Sequence, residues 1–469
     1  MWDWGILQLA IIAISIYNFG FIYGIIYLIA AGQIIIYILK QNGFTIIPFS
    51  DLIVMNEPGD GTNSIVSYVE FGKCSFDDFK QRVYEKGILR IPKLHSVVRN
   101  YLGFMLWKEV DPQFARTNIK ECEEDIHDYE SLRQYCEKLQ AIKLDPTEIP
   151  WRIDFIQNFS KDTSMMVWNN QHSQNDAAGF VSFISAILDN QFELRHKKHV
   201  EPLAWFLKPI YFIIAIFYFG NLSGKMQKIK SDEDTAKIRE ENGKNTFIKS
   251  ISMSEELDFK AIRKAYKSYG KGVTFGDYFM GVTSVGLKRW YDQYGHKKAA
   301  VGKMAISVNR RDLPTSYEDL LFCNYIGVFQ IAFPILSNLK EAIEKSNKAL
   351  WEIYSDFGGR CAEMFMYYFC FMPKNIAFNN MDSILEGCDL GISNIQFGEQ
   401  KWKFLGKGVK RRGMFASGRE QMKLLLFPVT YEDKLSIQMV TNKSMKMDNK
   451  ALLKHIVDVI EEDIAKNGN

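Results

Sequence analysis

The chain has 469 residues, of which 58 are basic and 55 are acidic, so the formal net charge is only +3. This balance gives no strong positive field and argues against nucleic acid as a partner. The seven cysteines form no C-x-x-C pair, which favours reduced thiols over a disulfide framework or a zinc site. The length is sufficient for two domains with a sizeable core.

The first predicted element is a membrane segment. No charged residue occurs between Ile6 and Leu39, and a spanning helix needs about 20 apolar residues. The run therefore predicts one tilted helix or two short ones. It lacks the basic start and the short apolar core of a cleaved signal peptide, so we predict a retained N-terminal anchor. Gly20 and Gly24 form a G-x-x-x-G pattern, which either seats a helix of a membrane protein partner or is merely tolerated in the bilayer.

The next elements surround a polar loop. Hydrophobic periodicity predicts amphipathic helices at Phe76–Gly87 and Tyr129–Ile142. A buried strand is predicted at Met165–Trp168, followed by a polar loop at Gln171–Ala178 and an apolar helix at Gly179–Leu188. This order places the loop at the end of a buried strand.

The polar loop carries His172 four residues ahead of Asp176. An imidazole titrates near neutrality, so a histidine at a strand end can act as a general base toward a hydroxyl or a thiol. A nearby carboxylate can hold the turn that orients it. Such a pair also occurs by chance in chains of this length, and it is the strand, loop and helix around it that favour a functional histidine.

A second apolar stretch, Trp205–Phe219, is interrupted by a lysine and a proline and is too short to span a membrane. Basic residues flank it, which is typical of a segment in the bilayer interface, and the alternative is a buried core helix. His196 and His199 precede it with metal-like spacing, but basic neighbours surround them, so we predict a basic patch and no metal site. The charged stretch Ser231–Lys249 predicts a solvated linker.

The second half of the chain also mixes helices with strands. The pattern predicts helices at Phe259–Tyr269, Phe279–Tyr291 and Ile335–Phe357, strands at Met304–Asn309 and Val328–Phe333, and a hairpin of Leu424–Thr430 with Leu435–Val440. This alternation in both halves predicts an α/β class with two layered lobes and mixed sheets. The predicted divisions are an anchor over 1–43, an N-terminal lobe over 44–195, a crossover with the interfacial segment and the linker over 196–249, and a C-terminal lobe over 250–469.

Several short motifs share an order that is known from one enzyme family. The loop reads Q-H-S-Q-N-D-A over Gln171–Ala177, and Gly276-Asp277 precedes an apolar helix. Further motifs follow at Ile306–Arg311, Asn324–Gly327, Gly391–Asn394 and Phe427–Tyr431. The loop resembles the H-H-x-x-x-D-G motif of the wax ester synthase/diacylglycerol acyltransferase family, within the coenzyme A-dependent acyltransferase superfamily, and the other segments resemble its later motifs. The resemblance covers about Phe49 to Asp448.

The resemblance implies a two-lobed coenzyme A-dependent acyltransferase-like fold and an O-acyltransferase that uses acyl-coenzyme A as substrate, with no cofactor. His172 stands at the position of the family's base, and Asp176 at that of an aspartate that supports the loop. Gln171, Asp277 and Asn394 are assigned to substrate binding on the same resemblance. The acceptor would be a lipid alcohol, either a fatty alcohol or diacylglycerol, and membrane lipid would be a partner.

Three positions depart from the family pattern. Gln171 replaces the first histidine, Ala177 replaces the glycine, and Gly276 replaces the asparagine of an N-D pair. They motivate an alternative function, a catalytically inactive acyltransferase-fold protein that serves as a structural or lipid-binding subunit of a membrane complex. Family analogy predicts the endoplasmic reticulum, although an uncleaved anchor would serve as well in a mitochondrial membrane.

Overall fold

A computed structural model of the chain describes residues 33–52, 54–55, 63–101, 104–192, 229–242, 248–309, 314–354, 387–417 and 422–468, with a few single residues elsewhere. Most of the predicted anchor, the predicted basic patch and most of the predicted interfacial segment lie outside the described residues. Within the described ranges, no helix combines the length and the apolar character that a membrane span requires. The described end of the N-terminal run is helix α1, residues 33–41.

The first half of the chain contains seven strands and several helices among its described residues. The strands are β1 (Phe44–Ile46), β2 (Ser64–Gly72), β3 (Ser96–Tyr101), β4 (Phe104–Glu109), β5 (Ile119–Glu121), β6 (Trp151–Ile156) and β7 (Thr163–Gln171). The helices are α2 (Phe49–Leu52), α3 (Phe76–Val83), α4 (Pro112–Arg116), α5 (Tyr129–Gln140) and α6 (Ala177–Ile187), with a π-helical turn at Tyr84–Ile88 and a 3-10 turn at Pro92–His95.

The second half supplies ten strands in its described part. They are β8 (Lys249–Met253), β9 (Leu257–Asp258), β10 (Val301–Asn309), β11 (Ile326–Pro334), β12 (Leu390–Ile392), β13 (Ile395–Gln396), β14 (Lys403–Phe404), β15 (Lys407–Ala416), β16 (Leu424–Tyr431) and β17 (Lys434–Asn442). The helices are α7 (Glu233–Ala236), α8 (Phe259–Lys267), α9 (Phe275–Gln293), α10 (Leu339–Tyr354) and α11 (Asn449–Asn467), with a 3-10 turn at Lys237–Arg239.

The strands form three sheets. A six-stranded sheet has the order β14-β15-β2-β7-β6-β5, an eight-stranded sheet follows β11-β10-β12-β16-β17-β8 with β9 and β13 at its sides, and β1, β4 and β3 form a small third sheet. Parallel pairs such as β5 with β6 and β10 with β12 stand beside antiparallel ones. The predicted α/β class with mixed sheets and two lobes is therefore confirmed.

The two lobes are joined by an exchanged strand. Strand β15 comes from the second half of the chain but pairs antiparallel with β2 in the sheet of the first half, with Met414 opposite Ser67. Strand β7 lies between β2 and β6 in that sheet and is buried along its whole length. Its continuous apolar run is typical of a strand that is covered on both faces. The histidine loop starts where this rigid strand ends.

Two glycines allow the helices of the second lobe to pack closely. A Cβ atom at Gly281 of α9 would lie 2.5 Å from Ile343 Cγ1 of α10, and one at Gly286 would lie 2.7 Å from Ile456 Cγ1 of α11. Real Cβ atoms do not approach so closely, so only glycine admits the two neighbours at these positions.

The segment predicted as a solvated linker packs instead against the second lobe where it is described. Asp232 caps α7 and also accepts hydrogen bonds from the amides of Ala300 and Val301 at 2.9 and 2.7 Å. Thr235 and Ile238 are buried. The charged residues of this stretch thus act as helix caps and ion-pair partners. A packed segment of this kind has the same charged sequence pattern as a solvated loop, so hydrophobic periodicity alone does not distinguish the two.

Candidate active site

The histidine loop connects strand β7 to helix α6 and is stabilised by the aspartate that ends it. Asp176 is the N-cap of α6, and its Oδ1 accepts a hydrogen bond from the amide of Gly179 at 2.9 Å. This bond satisfies one of the free amides at the helix start. Ala177 is the first residue of the helix and does not have a positive φ. The glycine of the family motif is therefore not required here for backbone reasons.

A residue from the second half of the chain binds the imidazole of His172. The Oδ1 atom of Asn324 lies 2.9 Å from His172 Nδ1. Its Nδ2 donates to the carbonyl oxygen of His172 at 2.7 Å and to Oδ1 of Asp51 at 2.9 Å. Asn324 is buried and lies two residues before the start of β11, whereas His172 is partly exposed. The histidine is thus held by an amide from the opposite lobe.

Asp51 is fully buried and forms an ion pair with Lys93. Its Oδ2 lies 2.6 Å from Lys93 Nζ, and its Oδ1 accepts from the backbone amide of Asn324 at 2.7 Å. Lys93 also donates to the carbonyl oxygen of Ser173, next to the histidine, at 2.9 Å. Burial raises the pKa of Asp51, and the charge of Lys93 opposes that rise together with the hydrogen bonds from Asn324.

The four residues 322–325, here named the junction segment, lie against the histidine strand and loop. The amide of Tyr325 donates to Asp176 Oδ2 at 2.8 Å, so Asp176 contacts the second half of the chain as well as its own helix. The ring of Phe322 stacks on Trp168 of β7 with a centroid distance of 6.1 Å and an interplanar angle of 9°. Two carboxylates and one aromatic contact therefore fix the segment that carries Asn324.

Burial lowers the pKa of His172 below its ordinary value. The hydrogen bond to its own carbonyl oxygen, the charge of Asp176, the hydrogen bond to Asn324 Oδ1 and the charge of Asp51 act in the opposite direction but do not cancel the effect of burial. The imidazole is therefore neutral at pH 7, because an unperturbed histidine already titrates near 6.5. A neutral imidazole can accept a proton, which is the property a general base needs.

Gln171, the predicted substrate-binding residue beside the histidine, is fully buried and bonded within its own lobe. Its Nε2 donates to the carbonyl oxygen of Leu144 at 3.0 Å, and its Oε1 accepts from the hydroxyl of Ser173. The side chain thus ties the loop to the segment that precedes β6. These contacts describe a structural residue of the loop, and they give no support to substrate binding.

The other two predicted substrate-binding residues lie in the second lobe. Asp277 is buried at the start of α9, where it forms a capping box with Thr274 and accepts from Asn347 Nδ2 at 3.0 Å. Asn394 is exposed in the two-residue break between β12 and β13. Neither forms a hydrogen bond with the histidine loop within the described part of the chain. The structure therefore shows His172 and Asp176 in one loop, and it gives no contact that joins Asp277 or Asn394 to that loop among the described residues.

Sequence reasoning missed the roles of Asn324, Asp51 and Lys93. Asn324 stands 152 residues from His172 and 273 from Asp51, so no local spacing connects them. The only available signal was the short Asn324–Gly327 motif in the resemblance, which carries no information about its contacts. Among the described residues, no group of three or more His, Cys, Asp or Glu side chains could hold a metal ion.

The two lobes and the exchanged strand β15 define an acyltransferase-like or condensation-domain-like fold. Residues 322–462 match the family model of the WS/DGAT C-terminal domain, and the match begins at the junction segment. This stretch is thus similar to the C-terminal domain of wax ester synthase/diacylglycerol acyltransferases, and the family resemblance of the sequence is confirmed. No curated protein sequence gives a significant match.

Solved structures share the fold over nearly the whole chain. The wax ester synthase/diacylglycerol acyltransferase of Marinobacter aquaeolei VT8 is 13% identical, with coverage of 91% of this chain and 100% of that chain and a TM-score of 0.59. The trichothecene 15-O-acetyltransferase of Fusarium sporotrichioides is 12% identical, with coverage of 90% and 94% and a TM-score of 0.62.

A third structure is the starter condensation domain of rhizomide synthetase, solved in complex with C8-CoA and Leu-SNAC. It is 9% identical, with coverage of 92% and 96% and a TM-score of 0.61. Likeness at these identities shows the fold, and together with the matched C-terminal domain it supports the predicted acyltransferase activity.

Proposed function

We propose that this chain is a membrane-bound O-acyltransferase that transfers a fatty acyl group from acyl-coenzyme A to a lipid alcohol, with His172 as the general base. The observation that carries the proposal is the state of His172. Its imidazole is partly exposed at the lobe junction, burial lowers its pKa, and Asn324 engages Nδ1. Nε2 has no hydrogen-bond partner among the described residues, so it remains for a substrate.

The chemical step needs only one basic nitrogen from the protein. His172 Nε2 takes the proton of the acceptor hydroxyl while the oxygen attacks the thioester carbonyl carbon. The new C–O bond forms, the C–S bond of the tetrahedral intermediate breaks, and the proton passes from His172 to the leaving thiolate. The products are an ester and free coenzyme A, and no covalent acyl-enzyme occurs.

The names of the similar proteins support both substrates of this proposal. Two of them are named for acyl transfer to an alcohol oxygen, and the rhizomide synthetase domain was solved with C8-CoA. A fatty alcohol or diacylglycerol is the acceptor that the matched family name suggests. Acyl-coenzyme A is a substrate in this proposal and not a bound cofactor.

The N-terminal end of the described chain supports a membrane location. Residues 6–39 contain no charge. In helix α1, the side chains of Ile34, Ile35, Tyr37 and Ile38 are between 50% and 64% exposed. Exposed apolar side chains on one continuous segment are typical of a surface that contacts lipid or another apolar partner. We propose that the protein is located in the membrane of the endoplasmic reticulum, with a mitochondrial membrane as the alternative. We propose the same helix as the contact surface for partner membrane proteins.

The test is acyl transfer from a labelled long-chain acyl-coenzyme A to a fatty alcohol or to diacylglycerol, with the full chain and the His172→Ala variant side by side. Removing a general base lowers the rate by about 100-fold or more. His455→Ala is a matched control, because His455 is another partly buried histidine and binds Gln293 at 2.9 Å in the helices of the second lobe. Its activity should equal that of the unchanged chain.

Equal transfer by the unchanged chain and by His172→Ala would rule out the proposed mechanism. The same holds if the unchanged chain transfers no acyl group to either acceptor. The lack of transfer would favour the inactive acyltransferase-fold subunit, for which the departures at Gln171, Ala177 and Gly276 are the sequence argument.

A further inference from the structure

The side-chain amide of Asn324 has a single orientation that its neighbours permit. Its Nδ2 lies 2.7 Å from the carbonyl oxygen of His172 and 2.9 Å from a carboxylate oxygen of Asp51. Both of these atoms only accept hydrogen bonds, so the nitrogen of the amide must face them. A flipped amide would place its oxygen against two acceptors and leave a buried amine without a partner, which is costly. The amide oxygen therefore faces His172.

This orientation decides which nitrogen of His172 carries the proton. The oxygen of Asn324 lies 2.9 Å from Nδ1 and can only accept, so a neutral imidazole must carry its hydrogen on Nδ1. Nε2 then has a free lone pair and is the basic nitrogen. The tautomer of the base is thus set by a residue 152 positions away in the sequence.

Asn324 is in turn held by Asp51. One carboxylate oxygen of Asp51 accepts from both the backbone amide and the side-chain amide of Asn324, at 2.7 and 2.9 Å. The other oxygen binds the ammonium group of Lys93, whose second contact is the carbonyl oxygen of Ser173 in the histidine loop. Asp51 is 0% exposed, and a buried carboxylate needs such a partner to stay ionised. Lys93 supplies that charge.

We propose that Asp51 is a positioning residue of the acyl-transfer reaction, which acts through Asn324 to hold His172 as the Nδ1–H tautomer with Nε2 free to accept a proton. The inference rests on the proposed function, in which His172 is the base. Asp51 lies in α2, after α1 and β1.

Two variants break the chain of contacts at different points. Asp51→Asn keeps the shape of the side chain but removes its negative charge. The variant has one acceptor oxygen in place of two, so Lys93 and Asn324 compete for it and Asn324 is no longer fixed. Asn324→Ala removes the contact with the imidazole and leaves the ion pair of Asp51 and Lys93 in place, so it carries the test if Asp51→Asn does not fold. Asp463→Asn is the matched control, since Asp463 is also buried and accepts from Tyr269 and Asn467 at 2.5 and 2.8 Å within the second lobe.

The protonation of the two ring nitrogens of His172 can be measured independently of catalytic activity. Full-length protein with nitrogen-15-labelled histidine shows by NMR which ring nitrogen carries hydrogen, and the spectrum of His172→Ala identifies the signals of His172. The unchanged chain and Asp463→Asn should show one Nδ1–H tautomer. Asp51→Asn and Asn324→Ala should show a mixture of tautomers, with kcat lower by about 10-fold to 100-fold and KM little changed.

Other outcomes would overturn the inference. A single Nδ1–H tautomer in both variants would mean that the carbonyl oxygen of His172 itself holds the ring, and Asp51 would then be merely structural. An Nε2–H tautomer in the unchanged chain would contradict the orientation of Asn324. If the unchanged chain transfers no acyl group but the tautomers change as expected, the proposed function fails and the positioning of the ring by Asp51 stands.

Discussion

Asp176 and Asp277 are the two aspartates that the family resemblance singles out, and both begin a helix. Asp176 caps α6 with one oxygen, and with its other oxygen it binds the amide of Tyr325 in the opposite half of the chain. Asp277 caps α9, and its additional partner, Asn347, belongs to the same lobe. Asp176 is the N-cap itself, whereas Asp277 is the third residue of its helix and accepts the amide of the N-cap residue Thr274. Both stabilise a helix start, but of the two only Asp176 also connects the two lobes beside the histidine. The sequence motifs therefore locate aspartates at helix starts. Whether such an aspartate belongs to the candidate active site depends on its contacts with distant segments, such as the bond from Asp176 to Tyr325.

The largest difference is expected for Asp176→Ala. The variant loses the cap of α6 and leaves the buried amide of Gly179 and the partly buried amide of Tyr325 without their acceptor, which together lower the free energy of unfolding by about 2–4 kcal/mol. Activity per folded molecule should also fall, because Tyr325 adjoins Asn324. Urea unfolding and labelled acyl transfer measure the two effects. Unchanged activity per folded molecule would show that Asp176 is a cap and nothing more.

A smaller effect is expected for Asp277→Ala. Loss of the capping box with Thr274 lowers the free energy of unfolding by about 1–2 kcal/mol. Acyl transfer per folded molecule should follow that of the unchanged chain, because the contacts of Asp277 stay within the second lobe. Urea unfolding and labelled acyl transfer again measure the two effects, and a lower free energy of unfolding confirms that the capping box has been lost. A rise in KM without loss of stability would instead restore the substrate-binding role that the resemblance implies.

Much of the fold could be predicted because its helices and strands have clear hydrophobic periodicity. The hairpin predicted at Leu424–Thr430 and Leu435–Val440 is observed as β16 and β17, with Thr430 opposite Leu435. Errors occur at the ends, where caps decide. The helix predicted from Ile335 begins at Leu339, because the side chain of Asn338 accepts the amide of Glu341 and caps it there. Strand β15 was not predicted, since its first half is rich in charge and its partner β2 is far away in sequence.

The candidate site could be predicted only where its residues are neighbours in the sequence. His172 and Asp176 share one loop, and a strand and a helix with clear periodicity flank it. Asn324, Asp51 and Lys93 join that loop only after the two halves of the chain have packed together. Buried hydrogen bonds between distant segments have no periodic signature in one sequence. The bond from Gln171 Nε2 to the carbonyl oxygen of Leu144, 27 residues earlier, is another contact that the sequence does not reveal.

The smallest expected effect, and the most direct probe of the histidine, is its pH dependence. The groups that face the imidazole are Asp176 at the end of its loop, Asp51 in α2 with its partner Lys93, and the neutral amide of Asn324. Burial outweighs the two carboxylates and lowers the pKa of His172. The base thus stays unprotonated to a lower pH than an ordinary histidine.

The acid limb of kcat/KM should therefore have its midpoint below about 6.5, the ordinary histidine value. Stability has the corresponding sign. The unfolded chain binds the proton first as pH falls below about 6.5, so the contribution of His172 to folding is complete above that value and decreases as pH falls toward the lowered pKa of the folded state. Asp277→Ala should share the acid limb of the unchanged chain, whereas Asp176→Ala should shift it to lower pH, because a carboxylate that raises the pKa of His172 is gone. An acid limb that is the same in all three proteins would mean that Asp176 does not act on the titrating group, and the distinction between the two aspartates would then be one of stability alone.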